Sequence, residues 1–111
     1  MGFIKQQQQA RQVIGEKRER YLGHTDNLMM VVIDFKDGPA AEPDPPHSHP
    51  HEQMCYVASG ELVVHIGDEQ QQLGPGDLFT VPPNVPHTVR LLTERVRLVD
   101  CFTPLREDFL K

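Results

Sequence analysis

Residues 46–53 read Pro46-His47-Ser48-His49-Pro50-His51-Glu52-Gln53, a run in which histidine recurs at alternate positions. Side chains two residues apart point to the same side of an extended strand, so His47 and His49 are expected to face one centre. Another histidine, His87, follows a separate strand-like run and a proline-rich turn at residues 82–86. Three imidazoles can surround one divalent metal ion and leave coordination positions open, which is typical of a catalytic metal site.

Short β-like runs surround these histidines and alternate with turn residues at the spacing of roughly 8 to 12 residues that is typical of antiparallel sandwiches and barrels. Ten prolines among 111 residues disfavour long helices. The sequence therefore predicts an all-β fold in which only residues 106–110 form a helical turn. The predicted strands are 18–22, 28–35, 53–59, 62–66, 78–81, 88–92 and 96–102.

Length and composition restrict the class of protein. At 111 residues the chain is expected to form a single domain over residues 13–111, after a Gln-rich polar tail over residues 1–12. A net charge of −5 argues against a nucleic-acid partner, and the longest apolar run, residues 29–33, is too short to cross a membrane. The N-terminus lacks the apolar region of a signal peptide, and the two cysteines are not in a C-x-x-C arrangement. These features predict reduced thiols and a cytoplasmic location.

The histidine motifs resemble the two sequence motifs of the cupin family. In the first, the count from the His-x-His pair reaches Gln53, where an acid is usual, and then Gly60. In the second, a glycine, a proline and a histidine follow one another as Gly76, Pro82 and His87. This resemblance covers roughly residues 38–92 and implies a small jelly-roll β-barrel. It also implies one metal site with the ligands His47, His49, Gln53 and His87.

Gln53 is the main departure from the cupin pattern. An amide oxygen is a neutral ligand, so with three neutral imidazoles the site would keep the full charge of its divalent ion. Such a site is a strong Lewis acid, suits an anionic substrate and argues against a dioxygenase with three histidines and one glutamate. Glu52 is an alternative oxygen ligand and His51 an alternative imidazole. Strand alternation favours Gln53 over Glu52, and the bend at Pro50 favours a position for His51 at the rim.

The last predicted strand carries an acid on an apolar face. Val96 and Leu98 mark its inward side, and the two-residue period places Asp100 and Phe102 on the same side. A carboxylate at such a position is costly unless it is paired or used. Arg106 follows shortly afterwards and could reach back over the mouth of the barrel. One structural alternative is a buried ion pair between Asp100 and Arg106 that anchors the C-terminus.

Residues 100–110 carry a second, narrower resemblance, to the small cupins of the pectin-degradation (KdgF-type) family. That family's ligand set is three histidines and one glutamine, and its substrate-site acid, aromatic residue and arginine correspond to Asp100, Phe102 and Arg106. The resemblance implies action on the 4,5-unsaturated monouronates that polysaccharide lyases release. The expected reaction opens the cyclic sugar to its linear 5-keto-4-deoxyuronate form, in pectin or alginate catabolism.

The sequence thus favours an enzyme with one divalent ion per chain, either Zn, Ni, Mn, Fe or Co, and a small anionic sugar-like substrate. In this scheme the metal polarises substrate oxygens, Arg106 binds the carboxylate, Asp100 moves protons and Phe102 packs on the sugar ring. The rival hypotheses are an Fe-dependent cupin dioxygenase and a non-catalytic module that binds metal or sugar. We expect a homodimer, because one apolar face of the predicted strand 28–35 would otherwise be exposed to water. That face carries either Met29, Val31 and Ile33 or the residues that alternate with them.

Overall fold

The computed structural model describes residues 2–111 and confirms the all-β prediction, with nine strands and two short 3-10 helices in that range. The 3-10 helices lie at Gln6–Gln8 and Glu107–Leu110, the second close to the predicted helical turn. No helix in residues 2–111 is both long and apolar enough to cross a membrane. In chain order, the strands are β1 Ala10–Ile14, β2 Arg18–His24, β3 Met29–Phe35, β4 Glu52–Ser59, β5 Leu62–Ile66, β6 Glu69–Leu73, β7 Leu78–Val81, β8 His87–Leu91 and β9 Val96–Thr103.

The strands form two antiparallel sheets. One sheet has six strands in the order β1-β2-β3-β9-β4-β7, and the other has three in the order β6-β5-β8. The main hydrophobic core lies between them, because it joins Val57 and Leu98 of the larger sheet to Leu62 and Leu91 of the smaller one. This arrangement confirms the jelly-roll barrel of the cupin type.

Two strands were not predicted from the sequence. β1 pairs with β2 from Ala10 to Ile14, so the boundary placed between residues 12 and 13 falls inside a strand. β6 reads Glu-Gln-Gln-Gln-Leu and pairs with β5 at the edge of the smaller sheet, where only Leu73 packs against the core. Neither strand shows the apolar alternation that predicts a half-buried strand, so both depend on pairing with a neighbour.

The predicted alternation holds in the two strands at the centre of the larger sheet. In β4 Glu52, Met54 and Tyr56 are exposed, whereas Gln53, Cys55 and Val57 are buried. In β9 Val96, Leu98 and Phe102 are buried, and Asp100 shares their inward face. β4 and β9 pair directly, with Gln53 opposite Phe102 and Cys55 opposite Asp100. The fold thus brings the polar residues of both strands to the same side of one sheet.

A second, smaller core closes the other end of the barrel. Leu22, Met29, Val31 and Phe102 are buried together, and Phe109 of the C-terminal 3-10 helix packs against them. Met29 and Val31 therefore point inwards, so their alternates Met30 and Val32 are the residues that β3 presents on its outer face. Residues of both cores, among them Leu98 and Val31, line the cavity of the candidate site.

Candidate metal centre and substrate cavity

Backbone pairing holds His47 against His87. His47 lies outside the named strands and forms an isolated antiparallel bridge with His87, the first residue of β8. The N–O distances are 3.1 Å from His47 N to His87 O and 2.9 Å from His87 N to His47 O. Their ring centroids consequently lie 4.3 Å apart. The bridge explains how two segments separated by 40 positions in the chain bring their imidazoles together.

His49 is positioned by the turn that precedes β8. The backbone N–H of Asn84 donates to the carbonyl of His49 at 2.8 Å, and Asn84 adopts a φ of 65°. Asparagine tolerates this left-handed conformation better than most other residues with a side chain. The ring of His49 lies 4.9 Å from that of His87 and 5.9 Å from that of His47. One nitrogen from each ring falls within 4.8 Å of the other two.

Gln53 completes this cluster from the first buried position of β4. Its Oε1 lies 3.0 Å from Nε2 of His49, whereas Glu52 is exposed on the other face of the strand. His51 turns away, and its Nε2 donates to the carbonyl of Leu105 at 3.1 Å. The structure therefore brings His47, His49, Gln53 and His87 together and leaves both alternative ligands outside the group.

Proton positions test whether this cluster suits a metal ion. Nδ1 of His49 lies 3.1 Å from the carbonyl oxygen of His51, and its Nε2 faces the amide oxygen of Gln53. A neutral imidazole has one N–H, so one of these contacts would join two acceptors. In His87, Nδ1 donates to the carbonyl of Val85 at 2.9 Å, which leaves a buried Nε2 without a partner in residues 2–111. A cation among these lone pairs would remove both conflicts, so the residues fit a divalent ion.

The electrostatic environment favours the neutral form of two of the imidazoles, those of His47 and His49. Burial lowers the pKa of His47, and the neighbouring rings of His87 and His49 lower it further. Burial also lowers the pKa of His49, followed by the positive charge of Arg106. Neutral imidazole is the ligand form of histidine, so both shifts favour metal binding by His47 and His49.

The cluster opens into a cavity of about 520 Å³ between the two sheets. Asp100 lies on its wall, where Nε2 of Gln53 donates to Oδ1 of Asp100 at 2.9 Å. Burial raises the pKa of Asp100, because the charged form is poorly solvated there. Gln53 thus joins the histidine cluster to a buried carboxyl group, with its oxygen towards one and its nitrogen towards the other.

Phe102 and Arg106 line the same cavity. The ring of Phe102 packs edge-on against His49 at 5.6 Å, and Cζ of Arg106 lies 5.1 Å from the centre of that phenyl ring. Arg106 donates to Asp108 through Nε at 3.1 Å and Nη2 at 2.8 Å. The two residues suggested as an anchoring ion pair therefore have other partners, Gln53 for Asp100 and Asp108 for Arg106.

The cavity is also lined by residues that were not predicted from the sequence to belong to the site. Arg18 and Arg20 enter from β2, and Phe109 enters from the C-terminal 3-10 helix. Arg18, Arg20 and Leu22 occupy alternate positions, and Leu22 belongs to a core, so strand period could have placed both arginines on the inner face. The remaining histidines lie outside this cavity: His24 is exposed at the end of β2, and His65 is a half-buried residue of β5.

The sequence and the fold of the chain are similar to those of known proteins. The cupin domain model matches residues 32–102. The pectin degradation protein KdgF of Dickeya dadantii is 37% identical over 94 residues, which cover 84% of this chain and 83% of that protein. The structure of KdgF from a Halomonas species superposes with a TM-score of 0.84 at 30% identity, covering 97% of this chain and 99% of that one. Quercetin 2,3-dioxygenase of Bacillus subtilis is 30% identical over 90 residues, which cover 79% of this chain but 26% of that enzyme.

Proposed function

The chain belongs to the cupin domain family, and from this premise we propose that it is a metal-dependent enzyme acting on a small sugar acid. The proposed reaction converts a 4,5-unsaturated uronate to its linear 5-keto-4-deoxyuronate form. The observation that carries the proposal is a single cavity lined by members of the histidine–glutamine cluster and by Asp100, Phe102 and Arg106. Similarity to a pectin degradation protein over most of both chains supports this substrate class.

The proposed metal ligands are His47, His49, Gln53 and His87. Three imidazoles and an amide oxygen suit one divalent ion, either Zn, Ni, Mn, Fe or Co. Such an ion, when bound, supplies Lewis-acid polarisation of substrate oxygens. Because all four ligands are neutral, the centre keeps its positive charge and favours a substrate with a carboxylate.

The other cavity residues have distinct proposed roles. Opening the ring breaks the bond between the anomeric carbon and the ring oxygen, and the proton of the anomeric hydroxyl moves to that oxygen. The enol that results then loses its O–H proton, and C4 gains a proton. The carboxyl group of Asp100 carries these protons, because burial raises its pKa and so favours its protonated form. Phe102 packs against the sugar ring. Arg106 contributes positive charge and the N–H groups that Asp108 does not occupy to the substrate carboxylate.

The direct test follows the ultraviolet absorbance of the C4–C5 double bond in monouronates derived from pectin and alginate. Metal-loaded wild-type protein should accelerate its loss. Asp100→Ala and Arg106→Ala should slow the reaction by ~10²-fold or more, the scale expected for loss of an acid–base group, while metal stays bound. Glu52→Ala, on the outer face of β4, is the matched control and should keep wild-type rates. Wild-type rates in both cavity variants would refute the proposed roles.

A dioxygenase is the second candidate function, and the similarity to quercetin 2,3-dioxygenase is the observation that favours it. The neutral Gln53 among the proposed ligands argues against it. Oxygen uptake by the Fe-loaded protein, with no loss of uronate absorbance, would support the dioxygenase. Absence of activity in both assays would leave a non-catalytic module that binds metal or sugar.

We also propose a homodimer and a cytoplasmic location. The outer face of the larger sheet exposes large apolar side chains, including Met30, Tyr56 and Leu78, and a second copy of the chain could cover them. Cys55 and Cys101 are both free, as expected in a reducing compartment.

A further inference from the structure

Arg20 occupies an inward position of β2 and lines the substrate cavity. Its neighbours on the same face of the strand are Arg18, which also lines the cavity, and Leu22, which is buried in the smaller core. A charged residue at such a position is costly unless it has a partner or a function. The partners of the three cavity arginines therefore distinguish their roles.

The other two cavity arginines are neutralised within the protein. Arg18 donates to Asp37 through Nε and to Asp44 through both terminal nitrogens. Arg106 makes its two-pronged contact with Asp108. These contacts use the planar edges that a guanidinium otherwise offers to a ligand carboxylate.

Arg20 differs from them, since no carboxylate in residues 2–111 forms an ion pair with it. Within residues 2–111 its one hydrogen bond joins Nε to the side-chain oxygen of Gln12. Nη1 and Nη2 have no hydrogen-bond partner in the described chain, and both nitrogens belong to a side chain that lines the cavity. These donors are suited to a planar anion that enters from solvent.

Arg20 and Arg106 also share one aromatic residue. Cζ of Arg20 lies 3.7 Å from the ring centre of Phe109, and Cζ of Arg106 lies 4.1 Å from the same point. The Cζ atoms of the two arginines are thus no farther apart than the sum of these distances, and both side chains line the same cavity. Stacking on the ring uses the face of a guanidinium and leaves its edge donors available. Burial and the charge of Arg106 lower the pKa of Arg20, so a bound anion would relieve an existing repulsion.

We propose that Arg20 is a further substrate-binding residue, which holds the carboxylate of the sugar acid together with Arg106. In this arrangement Arg20 supplies the end of its guanidinium formed by Nη1 and Nη2, and Arg106 supplies the N–H groups that Asp108 does not occupy. The identity of the carboxylate as that of a uronate rests on the proposed function. The preference for an anion rests on the unpaired guanidinium itself.

The binding test uses two sugars with the same ring stereochemistry, D-galacturonate and D-galactose, which differ in the carboxylate. Each is titrated into metal-loaded protein and followed by calorimetry or NMR. Arg20→Gln should weaken galacturonate binding by about 10- to 100-fold, the scale of a lost charge-assisted hydrogen bond, and leave galactose unaffected. Arg95→Gln removes the same charge from an exposed residue outside the cavity and should change neither affinity.

Two further variants separate carboxylate binding from a structural role. Arg20→Lys keeps the charge and its contact with the ring but loses the planar edge, so it should give a smaller loss of galacturonate affinity. Phe109→Leu removes the shared aromatic ring and keeps both arginines. If Phe109→Leu reproduces the full loss seen in Arg20→Gln, then Arg20 only anchors the C-terminal segment and the proposal is overturned.

The kinetic arm separates this inference from the proposed function. With unsaturated uronate as substrate, Arg20→Gln should raise KM by about 10-fold or more and affect kcat less. If the wild type turns over unsaturated uronate but Arg20→Gln binds galacturonate with unchanged affinity, the role of Arg20 is refuted and the proposed function is not. If the wild type does not turn over uronate but its binding of galacturonate depends on Arg20, the proposed reaction is refuted and Arg20 is supported as the anion-binding residue.

Discussion

At the scale of single residues, Gln53 links the histidine cluster to the buried acid. Its amide presents an acceptor towards His49 and a donor towards Asp100, at 3.0 and 2.9 Å. An ionised glutamate in the same place would have no N–H to donate to Oδ1 of Asp100. The amide thus turns its oxygen towards the histidine cluster and its N–H towards Asp100, which gives a local reason for glutamine where an acid is usual.

Metal binding tests the proposed ligands directly. Wild-type protein should contain about one divalent ion per chain, and His47→Ala and His87→Ala should each lose it, because each removes one of three converging imidazoles. Gln53→Ala should weaken binding by about 10-fold or more, the lower range for disturbing a metal's surroundings. Metal content by elemental analysis and titration with Zn²⁺ measure both effects.

Glu52→Ala is the matched control, since Glu52 neighbours Gln53 but lies on the exposed face of β4. It should retain the ion with wild-type affinity. Loss of metal from Glu52→Ala with retention by Gln53→Ala would show that the oxygen ligand has been assigned to the wrong residue.

At the scale of secondary-structure elements, a turn positions the site together with the strands that carry Gln53 and Asp100. The turn around Asn84 joins β7 to β8, which begins at His87, and the backbone N–H of Asn84 donates to the carbonyl of His49. At the other end of β4, Gly60 turns the chain into β5 with a φ of 82°. Gly60 is the glycine of the first cupin motif, and its place against the backbone of β9 gives a physical reason for that residue type.

Two glycines with positive φ, Gly60 and Gly76, provide a matched test of the close packing at Gly60. A Cβ added at Gly60 would overlap the carbonyl oxygen of Arg95 and approach Cα of Val96 to 2.8 Å, whereas one added at Gly76 meets no atom within 4 Å. Gly76→Ala should therefore cost about 1–2 kcal/mol of unfolding free energy, from backbone strain alone. Gly60→Ala should cost clearly more, because steric overlap with backbone adds to the strain. Urea unfolding of both variants measures the difference, and equal losses would contradict the role assigned to close packing.

At the scale of the whole molecule, the larger sheet has two different apolar faces. Its inner face forms the cores and the cavity wall, as described above. On its outer face the strand register places Val32, Val99, Tyr56 and Leu78 in a row across β3, β9, β4 and β7. Leu78 is 58% exposed and Tyr56 is 44% exposed, which is a large apolar area to leave in water.

The homodimer prediction follows from this row. Light scattering at micromolar concentration should give twice the mass of the 12.6 kDa chain. Met54→Glu places a charge beside the row, on a residue that is 50% exposed, and should shift the protein towards monomer. Gln71→Glu adds the same charge to exposed β6 and should leave the dimer intact. A monomeric mass for the wild type would overturn the prediction.

Much of the fold and part of the site could be predicted from local patterns. Strands β5 and β7 have the predicted bounds, and the alternation in β9 places Asp100 and Phe102 inwards as expected. The histidine spacing predicted the cluster because it depends on only two local features, the two-residue period of a strand and the turn before His87. Each feature is encoded within about ten consecutive residues.

The sequence alone therefore determined the all-β class, the cupin motifs and the residues expected around a metal, since all three depend on short-range spacing. The tertiary structure decided which partners those residues acquired. It paired Arg106 with Asp108, brought Arg20 and Phe109 into the cavity, and made a strand of the polar residues of β6. Arg20 and Phe109 are in contact although most of the chain separates them in sequence. The pairing of a polar strand such as β6 depends on another strand that offers it an unpaired edge. Such contacts arise only when the sheets close around a common core, so local spacing does not encode them.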